Sequence, residues 1–345
     1  MKEGYAVIDA DGHVQESEDE LRRFLDDRYR NRKMPGFSML PMDGVDRSVG
    51  GKYGKYHHDP TIQIQDMDIE GIDIQVLYGT LVLAMTPIKD REWSVALHGA
   101  FNDFLAEFCS HNPNRLKGIA ALPTLDPVAA ARELERCVTQ YGFIGAMAHT
   151  WNYNHNIDDE YYDELYACAQ QHNVPIAFHA AGNEIPRFDT FLAEHTLGHT
   201  HEQMCAALFA IFGGIPEKFP HLTMAFLEGM CGWIPMLAER MDEEYEKRPF
   251  EAPLLTKRPS AYFKSDRIFF GIEPEEWMIP HVIQFLGTDR NLVYASDYPH
   301  WDGAFPNSTR GLVERTDLTE GNKRNILGEN ARRLYPALTK VPVPA

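Results

Sequence analysis

Residues 292–301 read LVYASDYPHW, an apolar run that ends in acidic, aromatic and imidazole side chains. Residues 5–13, YAVIDADGH, repeat this pattern near the opposite end of the chain. A strand that finishes in acids and histidines makes a poor hydrophobic core, whereas carboxylate and neutral imidazole are the usual oxygen and nitrogen ligands of zinc, manganese and iron. Two such strand ends, almost a whole chain apart, indicate a sheet that closes on itself and brings its first and last strands together.

Short apolar runs alternate with longer amphipathic segments between these two ends. The predicted strands are Tyr5–Asp9, Ile74–Tyr78, Leu116–Leu122, Phe143–His149, Val174–His179, Leu222–Glu228, Arg267–Ile272 and Leu292–Ser296. The predicted helices are Asp90–His111, Pro127–Tyr141, Glu160–His172, Glu202–Phe212, Ile234–Glu246 and Glu275–Leu286. Repetition of strand and helix at this spacing predicts a parallel sheet covered by helices. Eight strands fit a (β/α)8 barrel, in which the active site lies at the C-terminal ends of the strands.

The competing architecture is an open, doubly wound α/β sheet, which usually carries a glycine-rich phosphate loop after its first strand. Residues 11–16, DGHVQE, lack that glycine pattern. We therefore expect an α/β fold in which residues 1–345 form a single (β/α)8 TIM-like barrel domain. Helix residues 96–111, with four apolar side chains at helical spacing, are predicted to be core and nothing more.

The segment 17–60 is too long for one strand–helix unit. It begins with a charged helical piece, Glu18–Tyr29, and continues through a segment that contains glycine and methionine, residues 36–58. Insertions over the catalytic end of a barrel often form a lid or a substrate wall. We expect a lid-like insertion after the first strand, although a surface excursion without function fits the composition equally well.

The composition excludes several classes of protein. The chain has 345 residues, 44% hydrophobic and 24% charged, with a formal net charge of −18. This charge argues against a nucleic-acid partner and would be repelled by an anionic membrane. The five cysteines are odd in number and show no CxxC spacing, so neither a disulfide framework nor a cysteine zinc site is indicated. The N-terminus lacks the apolar stretch of a signal peptide and no run is long enough to span a membrane, which favours the cytoplasm.

The ends of the predicted strands carry an unusual number of ligand-type side chains. They are Asp9, Asp11, His13 and Glu16 near the first strand, His149 and His179 in the middle of the chain, and Glu228, Asp297 and His300 towards its end. Because side chains alternate along a strand, Asp9 and Asp11 are predicted to point to the same side, with His13 just past the strand end. One histidine is more often structural than a ligand. Four strand ends that each deliver such a residue are much harder to obtain by chance.

Several stretches in this order resemble the amidohydrolase-related family, in the branch that includes aminocarboxymuconate semialdehyde decarboxylase and the hydroxybenzoate decarboxylases. They are Val7–Glu16, Gln65–Asp73, Ala177–His179, Phe226–Trp233, Ala295–Trp301 and Asn325–Ala331, which together cover most of the chain. This set of motifs is specific for the family but not for one reaction.

The resemblance implies a divalent metal held by Asp11, His13, His179 and Asp297. It also implies that Asp297 orients or deprotonates a metal-bound water, because the cation lowers the pKa of the water and a neighbouring carboxylate accepts the proton. We expect Glu228 and His300 to assist in catalysis. The remaining pocket residues are predicted to contact the substrate: His149, Tyr298 and Trp301.

Two residues depart from the decarboxylase pattern. Those enzymes usually carry a histidine at the end of strand six, where this chain has Glu228, and Glu16 is a further carboxylate beyond His13. Two extra carboxylates near one cation repel each other unless a second cation lies between them. Within the broader family, a D-x-D-x-H-x-x-E start resembles dinuclear iron or manganese oxygenases, and a second metal site would use Glu16, His199, His201 and Glu228. Alternatively, Glu228 orients a ligand of a single metal.

We therefore expect an enzyme with one or two divalent metals per chain, of zinc, manganese or iron. The first hypothesis is a hydrolase or non-oxidative decarboxylase that acts on a small organic acid or ring compound. The alternative is a dinuclear non-haem Fe or Fe/Mn monooxygenase on the same barrel. A binding protein on an inactive barrel is disfavoured because every ligand position is filled by a competent residue. The partners expected are a small-molecule substrate and further copies of the chain in a homo-oligomer, and the candidate carboxylate-binding arginines are Arg187, Arg240 and Arg310.

Overall fold

The computed structural model describes residues 4–34, 53–54, 59–85, 88–152, 155–179, 188 and 190–341. Eight strand positions alternate with helices along this part of the chain. In barrel order they are β1 (Ile8–Val14), β2 (Ile74–Gly79), β3 (Leu116–Gly118 and Ala120–Ala121), β4 (Ala146–His149), β5 (Ile176–His179), β6 (Met224–Leu227), β7 (Ile268–Ile272) and β8 (Leu292–Tyr294). A short antiparallel pair, Trp151–Asn152 with His155–Asn156, follows β4.

All eight strands run parallel and follow one another around the sheet. The two pieces of β3 join its neighbours, because the Ile119 N–H donates to the Leu77 carbonyl (3.2 Å) and the Ala120 N–H to the Gly145 carbonyl (3.0 Å). The circle returns to β1 just beyond β8, where the Asp297 N–H donates to the Asp11 carbonyl (3.1 Å). The (β/α)8 barrel predicted from the sequence is confirmed.

A row of phenylalanines shows which way the strand side chains point. Phe178, Phe226 and Phe270 stand side by side on β5, β6 and β7, with neighbouring ring centroids 5.6 and 5.9 Å apart. Trp233 and Phe263, from two covering helices, pack on Phe270, so this row faces the helices. Because side chains alternate along a strand, the residues next to these rings face the barrel axis. His179, which follows Phe178, is therefore directed inward.

The helices cover the barrel on its outside. The longer ones are α3 (Pro60–Glu70), α4 (Arg91–Ser110), α5 (Pro127–Arg136), α6 (Asp163–His172), α7 (Phe191–Phe212), α9 (Trp233–Lys247) and α11 (Ile279–Leu286). The shorter ones are α1 (Glu18–Phe24), α2 (Asp27–Arg30), α8 (Ile215–Lys218), α10 (Pro259–Phe263), α12 (Ser308–Val313), α13 (Glu320–Arg324) and α14 (Asn330–Leu334). The start of α4 is set by the Asp90 side chain, which accepts a hydrogen bond from the Trp93 N–H. None of the described helices is long and apolar enough to cross a bilayer.

Several predicted boundaries were wrong, and two of them bear on the site. Strand β1 starts three residues later than predicted and runs on to Val14, because it pairs with β2 as far as Val14 opposite Gly79. His13 therefore lies inside the strand and not past its end. Helix α7 starts at Phe191, well before the predicted Glu202, because the Thr190 side chain caps it by accepting from the Ala193 N–H.

The insertion after β1 is described in part. It contains α1 and α2, whereas residues 35–52 and 55–58 lie outside the described residues. Tyr53 packs its ring on Phe305 at 5.1 Å, and Phe305 packs on Tyr298 at 5.0 Å. This piece of the insertion therefore contacts the loop that follows β8. A lid over the site stays a prediction.

Candidate metal centre and active site

Four ligand-type side chains meet at the C-terminal ends of β1, β5 and β8. Asp11 Oδ1 lies 3.5 Å from His13 Nε2 and 3.4 Å from His179 Nε2. His13 Nε2 also lies 3.3 Å from Asp297 Oδ1. All four side chains are buried. The structure thus brings together the four residues that the sequence suggested as ligands of one metal.

The chemistry of these atoms fits a divalent cation. Asp11 Oδ1 and His13 Nε2 are buried and make no hydrogen bond to any residue in the described part of the chain. A buried polar atom without a partner costs about 1–3 kcal/mol. Burial and the nearby His300 lower the pKa of His13, so its ring is neutral and has a lone pair available for a metal. Carboxylate oxygens with neutral ring nitrogens form a donor set suited to zinc, manganese or iron.

Asp297 is also paired with His300. Its Oδ1 lies 2.8 Å from His300 Nδ1, and His300 Nε2 lies 3.0 Å from the Thr80 hydroxyl. Burial opposes the charge of Asp297, but His300 and His13 outweigh it and hold the pKa of this carboxyl well below its usual range. The pair therefore places an ionised carboxylate beside an imidazole at the edge of the ligand cluster. The sequence suggested His300, whereas the contact with Thr80 depends on the loop after β2 and was missed.

Glu228, at the end of β6, contacts three histidines. Its Oε2 lies 3.1 Å from His179 Nδ1, and its Oε1 lies 3.8 Å from His199 Nε2 and 3.9 Å from His300 Nδ1. The carboxylate thus faces the ring nitrogen of His179 that does not face Asp11. This is the arrangement by which a carboxylate orients a metal-ligating histidine. Glu228 and Asp297 both have a positive φ of 55°, an uncommon backbone conformation for residues other than glycine.

The four residues predicted for a second metal are not brought together. Glu16 accepts hydrogen bonds from the backbone N–H groups of Thr80 (3.1 Å) and Val82 (2.8 Å), so its carboxyl holds the loop after β2. His201 is half exposed and contacts Glu202 at 3.3 Å. His199 and Glu228 are the members of this set that do meet. Glu16 turns away because the amides of this loop take both of its oxygens, a tertiary contact without a local sequence signal.

Asp9 is not part of the ligand clusters found among the described residues. The pairing of β1 with β2 is irregular between Asp9 and Gly12, so Asp9 and Asp11 do not make equivalent contacts. Asp9 accepts from the Gln75 side chain (2.8 Å) and from both the N–H (2.9 Å) and the hydroxyl (2.5 Å) of Ser296. Asp9 therefore joins β1, β2 and the end of β8 below the ligand cluster.

The three residues predicted to contact substrate lie at or just beyond the C-terminal ends of β4 and β8, but they make different contacts. His149 stands opposite His179 on the neighbouring strand, and burial lowers its pKa to about 3 with help from His98 and His179. Tyr298 donates its hydroxyl hydrogen to Asp66 on α3. Trp301 packs against the ring of His195 at 5.3 Å, a contact on α7 that the sequence did not indicate.

The candidate arginines do not form a carboxylate clamp in the described structure. Arg240 pairs with Glu243 and Glu244 on the surface of α9. Arg310 pairs with Glu314 on α12. Arg187 lies outside the described residues.

Comparison with known proteins places the chain in a family. A family model described as amidohydrolase matches residues 56–337. Gamma-resorcylate decarboxylase of Rhizobium radiobacter is 26% identical over 308 residues, covering 83% of this chain and 91% of that protein. The 2-amino-3-carboxymuconate-6-semialdehyde decarboxylase of Dictyostelium discoideum is 24% identical over 278 residues, covering 79% of this chain and 75% of that protein.

A solved structure supports the same barrel. The 5-carboxyvanillate decarboxylase of Novosphingobium aromaticivorans, crystallised with manganese and 4-hydroxy-3-methoxy-5-nitrobenzoic acid, matches with a TM-score of 0.75 and 21% identity. The match covers 97% of each chain. The family model spans most of this chain, including β2–β8, and the full-length match extends the same fold to β1. This protein is therefore an enzyme that belongs to the amidohydrolase family.

Proposed function

We propose that this enzyme is a divalent-metal-dependent, non-oxidative decarboxylase of a small aromatic carboxylic acid. The observation that carries the proposal is the buried cluster of Asp11 Oδ1, His13 Nε2 and Asp297 Oδ1 beside His179, all at one end of the barrel. The relatives support the reaction type, since decarboxylases are found both among the similar sequences and among the similar structures.

Asp11, His13, His179 and Asp297 would hold one cation, for which manganese, zinc and iron are the candidates. A similar decarboxylase was crystallised with manganese, which makes manganese the first metal to test. When bound, the cation supplies positive charge that binds and polarises oxygen atoms of the substrate. Glu228 keeps the His179 ring oriented through the 3.1 Å contact with Nδ1.

The protein's own part in the chemistry is to manage a proton. The ring carbon that carries the carboxylate gains a proton, its bond to that carboxylate breaks, and the electron pair of the broken bond restores the ring as CO2 leaves. His300 Nδ1 holds this proton, and Asp297 Oδ1, 2.8 Å away, takes it up and delivers it to the ring carbon. The Thr80 hydroxyl holds the opposite nitrogen of His300 at 3.0 Å and so orients the ring.

We do not extend the proposal to an oxygenase. That alternative needs a second metal ligated by Glu16, and both oxygens of Glu16 accept backbone N–H groups instead. The metal content and the oxygen requirement of the reaction separate the two hypotheses directly.

The test uses purified protein loaded with manganese and incubated without oxygen. The substrates are 2-, 3- and 4-hydroxybenzoate and 2,6-dihydroxybenzoate, and the readouts are released CO2 and the decarboxylated ring. We expect about one metal per chain and oxygen-independent release of CO2 from at least one acid. Asp297→Asn should lower kcat by about 100-fold or more, because an amide cannot exchange this proton.

Asp266→Asn makes the same chemical change at an exposed position and should keep wild-type turnover. Two equivalents of iron with strict dependence on oxygen would contradict the proposal. The absence of CO2 release from every acid of the panel would contradict it as well.

A further inference from the structure

A small cavity lies between α4, the loops that follow β2 and β3, and the last residue of β4. Its apolar walls are Met85, Ile88 and Leu125, and its polar walls are Ser94, His98, Thr124 and His149. Both loops leave the C-terminal ends of their strands and His149 is the last residue of β4, so the cavity is at the same end of the barrel as the ligand cluster. His149 lines the cavity and stands opposite His179 on the neighbouring strand, so the cavity adjoins the ligand cluster at this position.

The hydrogen-bonding state of His98 follows from its contacts. His98 Nδ1 lies 2.8 Å from the carbonyl oxygen of Ser94, one turn earlier in α4. A carbonyl can only accept a hydrogen bond, so Nδ1 must carry the hydrogen. Burial lowers the pKa of His98 to about 4, so the ring is neutral near pH 7. The other nitrogen, Nε2, therefore has no hydrogen and presents a lone pair.

This lone pair has no hydrogen-bond partner among the described residues. His98 Nε2 is buried and makes no hydrogen bond to any described residue, and His98 as a whole is 2% exposed. Because Nδ1 faces its own helix, Nε2 is on the side of the ring directed away from α4, where the cavity and the His149 ring lie. An unsatisfied buried acceptor costs about 1–3 kcal/mol. A hydrogen-bond donor that enters the cavity would offset this cost.

We propose that the cavity is a subsite for one hydrogen-bond donor of the substrate, a hydroxyl or amino group on its ring, which donates to His98 Nε2. The cavity has room for about one water-sized group, which suits a single substituent. A carboxylate, a methoxy group or a halogen has no hydrogen to donate and would leave Nε2 unsatisfied. His98 is thus a specificity-determining residue. This inference rests on the proposed function, because it assigns the substituent pattern of the aromatic acid.

The experiment measures binding rather than turnover. Manganese-loaded protein is titrated by calorimetry with 2-, 3- and 4-hydroxybenzoate and with the three fluorobenzoates, which have a similar size but no donor. At one ring position we expect the hydroxyl compound to bind about 3- to 10-fold more tightly than its fluoro counterpart, the range given by one net hydrogen bond. The matching aminobenzoate should show the same direction of preference. A crystal structure of the wild type with the preferred compound should place its hydroxyl within 3.2 Å of His98 Nε2.

Two variants test the residue itself. His98→Leu removes the acceptor and should reduce the hydroxyl-to-fluoro ratio to about 1. His111→Leu makes the same change at the exposed end of the same helix and should keep the wild-type ratio. If His98→Leu does not fold, the ligand pairs and the crystal structure with the wild type still decide the question.

Equal affinities for every hydroxyl and fluoro pair would overturn the inference, as would an unchanged ratio in folded His98→Leu. A water that stays on Nε2 beneath the bound ligand would overturn it too. A hydroxyl preference without CO2 release would refute the decarboxylase and leave the subsite standing. Release of CO2 without a preference would refute only the subsite. Failure to bind any of these acids would refute both.

Discussion

Replacement of Glu16 by glutamine is expected to change stability in a pH-dependent way. This carboxyl is 1% exposed and accepts two backbone N–H groups of the loop after β2. Burial raises its pKa from 4.5 to about 7, because the amides only partly replace the hydration that the ion loses. Glu16 therefore stays protonated in the folded protein at pH values where the unfolded chain has already released the proton.

The sign and the size of the effect follow from this difference. Between about pH 4.5 and about pH 7 the folded state binds more protons than the unfolded state, so the free energy of unfolding falls as the pH rises through this window. Above about pH 7 the titration of Glu16 no longer changes it. Roughly 2.5 pKa units at about 1.4 kcal/mol each amount to about 3.5 kcal/mol. Glutamine does not titrate. Its single oxygen can accept only one of the two amides well, which costs about 1–3 kcal/mol at every pH.

The assay is urea unfolding of the wild type and Glu16→Gln at pH 5, 6, 7 and 8. The difference between the two proteins at each pH cancels the titration of the other groups. We expect the wild type to be clearly more stable at pH 5 and its advantage to shrink by about 2–3 kcal/mol by pH 8. Glu107→Gln, an exposed change, should show no such trend. A difference that does not vary with pH would refute the raised pKa, and loss of metal from Glu16→Gln would show that Glu16 is a ligand after all.

Three further changes test the site. Glu228→Gln should weaken metal binding by about 10- to 100-fold in a chelator competition because His179 loses its orienting carboxylate, whereas the exposed Glu239→Gln should not. Gly12→Ala would put a Cβ 2.4 Å from Gln75 Nε2 and displace this side chain from its hydrogen bond to Asp9. The free energy of unfolding in urea should fall by about 1–3 kcal/mol. The control is Gly99→Ala, whose Cβ meets nothing within 4 Å and should not lower the free energy of unfolding. Removal of the metal should lower the free energy of unfolding by about 3–4 kcal/mol relative to protein held at 100–1,000 times the Kd, and an unchanged melting curve would contradict a metal at this site.

The parts of the site that the sequence predicted are those with a local signal. His179 and Asp297 follow short apolar runs, and the alternation of strand and helix places all such ends at one side of a barrel. The four candidate ligands therefore meet as expected. The residues next to them in the sequence are enough to predict their position at the strand ends, without knowledge of distant contacts.

The rest depends on contacts between distant segments. Asp11 and His13 look like loop residues, yet pairing with β2 holds them in strand β1. The role of Glu16 depends on amides at Thr80 and Val82 that only the folded loop presents. The apolar face of α4 was correctly predicted as core, but that pattern hid His98, which shares the buried side of the helix. The spacing of apolar residues along a helix predicts which side chains are buried. It does not predict whether a buried side chain has a hydrogen-bond acceptor without a partner.

The closure of the barrel also dictates when the enzyme can form during synthesis. Ser296 bonds to Asp9, a partner 287 positions earlier in the chain. At the usual rate of translation that interval takes roughly 15–60 s, during which β1 has left the ribosome without its last neighbour. Contacts of such long range form late in folding. A nascent chain that has not yet reached residue 297 holds Asp11 and His13 but not Asp297, so the predicted set of four ligands cannot assemble until most of the polypeptide has been made.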